Sequence, residues 1–235
     1  MSIYRVGYRE DDCQATLYNH GCNWSCGICS YRLREGIAPS RTLSTEEILS
    51  ELSSFRVDKL LILGGEPMTC PDLDVIVASA KKRGAIVRIA HSNASVLPPR
   101  GVDEIGISLR AFSRRKHQQL TGTTNTKVLG NIYAIHDRGV RMEVSTILIP
   151  QIVGADEIAK VAAFLAAVDS SIPFHISSYL PVPGISWRRP TREEMTEAVL
   201  VAKDHLKNVS SSALSVSDYL ASSARDTMQH RDGVF

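Results

Sequence analysis

Long apolar runs are missing from this chain. The longest wholly apolar stretch is about eight residues, Val161 to Val168, where a bilayer-spanning helix needs roughly 18 or more. The opening residues, Met1-Ser2-Ile3-Tyr4-Arg5, lack the charged and then apolar regions of a secretory signal. Large net charge is missing too: 27 Lys plus Arg stand against 25 Asp plus Glu, a formal +2. That balance argues against a broad nucleic-acid footprint. There is no low-complexity tract, internal repeat or interdomain linker, and no phosphate-cradling G-x-x-x-x-G-K, H-E-x-x-H or Ser/His/Asp arrangement. With 43% apolar and 22% charged residues, the composition is that of an ordinary globular domain. The expectation is a soluble, cytoplasmic, single-domain protein with no membrane partner.

Cysteine is scarce, and its placement is uneven. Cys22, Cys26 and Cys29 crowd into eight residues, while Cys13 and Cys70 stand alone. An odd count without a signal argues against a disulfide framework, and close spacing in a reducing compartment points to metal or redox work.

Short β-branched runs alternate with amphipathic helical patterns. Strands are expected at Gln14–Tyr18, Lys59–Leu63, Ile86–Ala90, Glu104–Leu109, Val140–Ile149 and Phe174–Tyr179. Helical patterns cover Ser44–Phe55, Asp72–Arg83, Lys127–Arg138, Ala155–Val168 and Thr191–Leu206, and Ser44 with Glu47 forms a capping-box signature. Strands that are continuously apolar, such as Leu60–Leu63, suit a buried parallel sheet. About six β/α units in some 200 residues predict a partial (β/α)6 TIM-like barrel, shorter than the roughly 250 residues of a closed one. A flat doubly wound sheet is the runner-up. The expected organisation is an N-terminal extension over 1–13, a core over 14–208 and a C-terminal tail over 209–235, with Gln229–Gly233 a frayed end.

The C-x3-C-x2-C spacing of Cys22, Cys26 and Cys29 follows directly on the first of these strands, where α/β barrels place their chemistry. Thiolates are soft donors suited to iron–sulfur clusters or zinc. A four-iron cube normally takes four cysteines, so three leave one iron open for a reactant. A Cys3His zinc site using His20 is the competing reading. After the next strand comes Gly64-Gly65-Glu66-Pro67. Its glycines allow close approach to bare backbone, Glu66 adds an acceptor, and Pro67 is placed to start a helix.

These two motifs resemble those of the radical S-adenosylmethionine (SAM) superfamily. The resemblance implies that Cys22, Cys26 and Cys29 hold a [4Fe–4S] cluster and that Gly64, Gly65, Glu66 and Pro67 help position SAM on the fourth iron. One electron then splits SAM to a 5′-deoxyadenosyl radical that abstracts hydrogen from a substrate. Thr121-Gly122-Thr123-Thr124-Asn125-Thr126-Lys127-Val128-Leu129 and Ile149-Pro150 are similar to segments of the pyruvate formate-lyase activating enzyme branch, and the likeness covers about 14–208. That branch turns on glycyl-radical enzymes. It implies a protein or peptide substrate, with a small metabolite, nucleoside or cofactor precursor as the alternative, and flavodoxin or ferredoxin as reductant.

Less specific carry-overs are Ser92 and Asn93, where the branch has a Thr-Asn-Gly turn, and Ser108 and Arg110, where activases have Asp-x-Lys. Arg110 is either a bidentate partner of the SAM carboxylate or a solvated rim arginine, and Ile147 either packs on adenine or is a plain core residue. The residue before the last cysteine, often aromatic in this superfamily, is Ile28. The late Leu-Pro-Tyr-His of the activases is missing at Tyr179–Val182; His175 begins that strand instead and is a candidate catalytic residue, with Cys70, three residues beyond Pro67, as another. Arg114, Arg115, Lys116 and His117 form a basic cluster with Arg110 beside the expected site.

Overall fold

The computed structural model describes residues 2–33 and 39–221. One eight-stranded sheet runs in chain order: β1 (Ser2–Arg9), β2 (Gln14–His20), β3 (Lys59–Leu63), β4 (Ile86–Ser92), β5 (Glu104–Ser108), β6 (Arg141–Leu148), β7 (Phe174–Ser178) and β8 (Val209–Ser212). From β2 to β8 every neighbouring pair is parallel; β1 is antiparallel to β2. Six helices connect them: α1 (Thr45–Ser53), α2 (Leu73–Lys82), α3 (Arg114–Thr121), α4 (Thr126–Asp137), α5 (Ala155–Asp169) and α6 (Arg192–Lys203). The sheet begins at β1 and ends at β8, which do not pair. This is the partial barrel that the sequence predicts, open along one side.

The six expected strands all form, and two more flank them. β1 and β8 carry the sheet beyond 14–208 at both ends. The 209–235 stretch therefore starts with a strand, while residues 222–235, including the expected frayed end, lie outside the described residues.

Local chemistry explains the helices. Ser44 accepts from the Glu47 amide and Glu47 from the Ser44 amide, completing the capping box of α1. Thr191 and Glu194 do the same for α6. Glu194 also takes both Arg188 guanidinium nitrogens at 2.6 and 2.8 Å. Arg188 first, and then the Thr191 amide, hold its carboxyl down at about 2. A depressed carboxyl stabilises the fold above the unfolded value of about 4.3 and loses that contribution as pH falls through 2. The pair is surface-exposed, so the effect is below ~1 kcal/mol. Acid titration followed by circular dichroism should show a shallower loss of stability between pH 4 and 2 for Glu194→Gln than for the wild type.

The sheet has two unlike faces. On β6, Met142, Val144, Thr146 and Leu148 are buried, while Arg141, Glu143, Ser145 and Ile147 alternate with them and are not. Met142, Val144 and Leu148 share the core with Ile158, Val161, Ala162 and Leu165 of α5. On the other, concave face, the N-terminal strand ends carry Arg88, paired to Glu104 at 3.4 Å and Glu143 at 3.5 Å, and Arg141, paired to Glu104. Towards the C-terminal ends, Ser108, Ser145, His175 and Ser210 are successive register partners across β5 to β8. That row replaces the branched aliphatic layer that fills a closed barrel.

Candidate active site

The three clustered cysteines sit on the loop leaving β2. Cys22 is exposed, Cys26 and Cys29 are half-buried, and all three are free thiols. The loop is turned by a Cys29 N–H to Cys26 carbonyl bond (3.2 Å) and leads into a short 3-10 segment, Ser30–Leu33. It is anchored to α3 by the Gly27 amide on the Leu120 carbonyl (3.2 Å) and by Trp24 set edge-to-face against His117. The Cys22 sulfur accepts from the Trp24 amide at 3.4 Å and from Asn93 Nδ2 at 3.8 Å. Burial pushes the Cys26 thiol up to about 11, against the pull of the Arg110 charge. Cys22 is also raised, by burial first, with the Trp24 amide opposing. Thiols with raised values bind a cation by losing protons to it.

Gly64 and Gly65 lie against this loop. Both have positive φ, +90° and +49°. A Cβ on Gly64 would overlap the Asn19 carbonyl oxygen; one on Gly65 would overlap the Gly21 carbonyl oxygen and lie 2.7 Å from the Gly21 carbonyl carbon. The close approach that these glycines permit is therefore, first, that of the cysteine-bearing strand end. The Glu66 amide donates to Gly21 O at 2.9 Å. Asn19, 2% exposed, spreads its Nδ2 over the carbonyls of Gly21, Gly64 and Glu66, each at 3.2 Å. No sequence motif marks Asn19, since an Asn at a strand end carries no pattern of its own.

Glu66 is 1% exposed and fully engaged. Its carboxylate accepts from Met68 N (3.2 Å), Ser92 Oγ (2.8 Å) and Asn93 N (2.5 Å). Burial raises its carboxyl and these donors oppose the rise. Pro67 opens a 3-10 turn, Pro67–Thr69, which Glu66 caps. In this arrangement the Glu66 carboxylate ties the β3 and β4 ends together. Glu66→Gln puts an amide donor where three donors already converge; thermal unfolding should show a loss of about 1–3 kcal/mol.

Ser92 and Asn93 complete the interlock. Asn93 Nδ2 bonds Asn23 Oδ1 at 2.8 Å, and Asn23 Nδ2 bonds Ser95 Oγ at 2.9 Å. Two residues absent from the motifs, Asn23 and Ser95, thereby join the cysteine loop to the end of β4. Ser108 is buried, with its hydroxyl 3.5 Å from Ser145 Oγ. Ile147 lies on the concave face beside Ser177 and packs on the core edge. The guanidinium of Arg110 has no hydrogen bond or ion pair with a described residue; burial lowers its pKa, and the charges of Cys26, Cys29 and Cys22 counter that. An unpaired, desolvated cation facing three thiols is costly unless an anion joins it.

His175 is held by two hydroxyls of β8: Nδ1 lies 2.8 Å from Ser210 Oγ and Nε2 2.9 Å from Ser212 Oγ. It stands on the concave wall, in the row that begins at Ser108. Cys70 is not brought to the cysteine loop. It lines a groove with Ile3, Leu43, Ser44 and Ile48, and its sulfur lies 3.3 Å from the Pro71 carbonyl. Three residues beyond Pro67, the chain has already turned behind β1.

Among the described residues, no three His, Cys, Asp or Glu side chains lie close enough together to hold a single metal ion, as a zinc site with bonds of about 2.0–2.3 Å requires. His20 is exposed and stands edge-on to Tyr4. Three thiols on one short loop, with an amide N–H aimed at one sulfur and an unpaired arginine behind them, suit a larger, thiolate-held anionic group.

Residues 17–165 match the sequence model described as the radical SAM superfamily. A protein of Methanocaldococcus jannaschii named as a glycyl-radical enzyme activating enzyme is 32% identical over 209 residues, covering 84% of this chain and 80% of that one. A protein of Pyrobaculum aerophilum named as a GTP 3′,8-cyclase is 23% identical over 171 residues, covering 67% of this chain and 55% of that one. Among solved structures, Streptococcus suis SuiB superposes with a TM-score of 0.65 at 16% identity; the match covers 86% of this chain and 49% of SuiB. This chain thus spans about half the length of SuiB, which has also been solved with SAM and with its precursor peptide SuiA. No helix among the described residues is long and apolar enough to cross a membrane.

Proposed function

The chain belongs to the radical SAM superfamily, and from that premise we propose that it is an activating enzyme that takes hydrogen from a protein or peptide substrate. Cys22, Cys26 and Cys29 would hold a [4Fe–4S] cluster, and Gly64, Gly65, Ser92, Asn93, Ser108, Arg110 and Ile147 would surround SAM. When bound, this pair supplies one-electron reductive cleavage of SAM and a 5′-deoxyadenosyl radical as hydrogen acceptor.

The single observation that carries the reading is the interlock of three strand ends around a loop with three thiols and an unpaired arginine. Asn19 fixes the cysteine loop to the Gly-Gly turn. Glu66 fixes that turn to β4, and Asn93 returns to the Cys22 sulfur and Asn23. The chain's task is orientation and exclusion of water, with the difficult chemistry left to the cofactors. Arg110 offers a planar fork to the SAM carboxylate. Ser108, Ser145, His175 and Ser210 would form a hydrogen-bonding wall for the substrate, with His175 orienting it through a ring held at both nitrogens.

A protein substrate is favoured over a metabolite by two features. The activating-enzyme relative matches along 80% of its own length, and the open side between β1 and β8 leaves room for a loop of a larger partner. Flavodoxin or ferredoxin would supply the electron. The test offers candidate substrates under anaerobic reduction with SAM. A glycyl-radical enzyme deuterated at its radical glycine should pass label into 5′-deoxyadenosine. Label arriving only from a deuterated nucleotide such as GTP would overturn the protein-substrate reading.

A further inference from the structure

The charges of this chain are not evenly spread. Residues 20–33, 110–127 and 179–192 contain no Asp or Glu, although the chain has 25 of them. The same three segments meet around the cysteine loop. Gly27 bonds Leu120 of α3, Trp24 packs on His117, Arg32 donates to the Gly27 carbonyl, and a Cβ on Gly27 would touch Ile185. Together they hold nine Lys or Arg. Two of these are neutralised: Lys116 by Glu157 and Arg188 by Glu194. Arg32, Arg114, Arg115 and Lys127 are exposed and form no ion pair with a described residue.

Two of these cations occupy an unfavourable place. Arg114 and Arg115 stand in the first turn of α3, which has no acidic residue of its own, although that end of a helix prefers anions. The first turn is instead tied by Glu157, which takes the Ser113 amide and hydroxyl from α5. Helix stability alone would not select two exposed arginines there. Cys22, in the first of these segments, is exposed, and its loop packs on α3 through Gly27 and Trp24, so α3 and the solvent-facing cysteine loop are neighbours.

We infer that this collar is the docking surface for an acidic one-electron carrier protein, flavin- or iron–sulfur-bearing, with Arg114 and Arg115 as its main contacts. The inference rests on the proposed cofactors, since cleaving SAM reductively takes one electron from outside the chain. The carrier is oxidised by one electron and the cluster reduced by one; no bond or proton moves at the collar. Like charges around the loop would steer an acidic carrier and hold it weakly, which suits the small, transient and salt-sensitive interfaces of redox encounters. An acidic carrier is favoured over the substrate as occupant because the collar lies on α3 and the loops, whereas the concave wall presents serines and His175.

The test measures binding of purified flavodoxin to the reconstituted protein, independently of turnover, at 25 and 300 mM NaCl. Wild-type binding should weaken at least tenfold at the higher salt. Arg114→Glu with Arg115→Glu should weaken it at least tenfold at low salt while dithionite-driven 5′-deoxyadenosine formation stays within twofold. These exposed charge reversals suit the helix dipole, so folding should be retained, and Arg114→Gln with Arg115→Gln should give an intermediate affinity. Flavodoxin affinity unchanged within twofold would overturn the inference, as would tighter binding of a single-stranded 20-mer RNA than of flavodoxin. Absence of dithionite-driven cleavage in the wild type would instead overturn the cofactor reading, whatever the binding result.

Discussion

Gly65→Ala is expected to destroy the site and to destabilise the protein by more than ~3 kcal/mol, an effect reserved for a few mechanisms such as backbone strain and overpacking. Two costs coincide at this position. Its φ of +49° puts alanine in the left-handed region, worth roughly 1–2 kcal/mol. The new Cβ would also overlap the Gly21 carbonyl oxygen, and the Gly21 carbon and nitrogen at 2.7 and 3.1 Å leave it no retreat. These are backbone atoms, so the cysteine loop itself must move, breaking the Glu66 N–H to Gly21 O bond. Thermal unfolding and iron content after reconstitution should both fall. A control lies in α4: Gly130 has open space around its missing Cβ, and Gly130→Ala should raise stability by about 0.5–1 kcal/mol. Equal responses at the two positions would refute the packing argument.

Cys26→Ala should leave the fold nearly intact and abolish 5′-deoxyadenosine formation, by ~10³-fold or more, as expected where groups act as one unit. Cys26 is half-buried at the edge of the core, and the alanine removes a single sulfur there. Two thiols cannot anchor the four-iron group, so iron content should fall with activity. Cys70→Ala is the comparison. Its sulfur faces the Pro71 carbonyl in the groove by β1, and activity should stay within about twofold, with the modest stability loss of a small buried group. Surviving SAM cleavage in Cys26→Ala would remove the triplet from the mechanism.

Much of this was legible before the fold was known, and the reasons are physical. β3 was readable because a parallel strand covered by helices is a continuous apolar run, and β6 because its apolar residues alternate with Arg141, Glu143 and Ser145. The capping box at Ser44 marked the start of α1; the one at Thr191 emerges from the structure. β8 was not legible: Val209-Ser210-Ser211-Ser212 has almost no apolar signal, and its place comes from pairing with β7 and from the His175 hydrogen bonds. β1 interrupts its apolar residues with Arg5 and Gly7, and it enters the sheet at an edge. α3 reads as a charged surface stretch because only His117, Leu120 and Thr121 are buried.

At the site, motif spacing revealed the cysteines and the Gly-Gly turn, but not what the turn packs against. Glu66 reads from sequence as an acceptor; its carboxylate is taken by Met68 N of the 3-10 turn that it caps and by Ser92 and Asn93 at the end of β4. Asn19, Asn23 and Ser95 contribute through long-range pairing with the Gly-Gly turn and between the cysteine loop and the end of β4, which no local pattern records.

The most direct measurement is electron paramagnetic resonance of the anaerobically reconstituted, reduced protein with and without SAM. Our account predicts about four iron and four sulfide per chain, and a reduced-cluster signal whose g values shift when SAM joins the iron left open by three cysteines. A colourless protein holding one zinc, or a cluster whose spectrum ignores SAM, would contradict it.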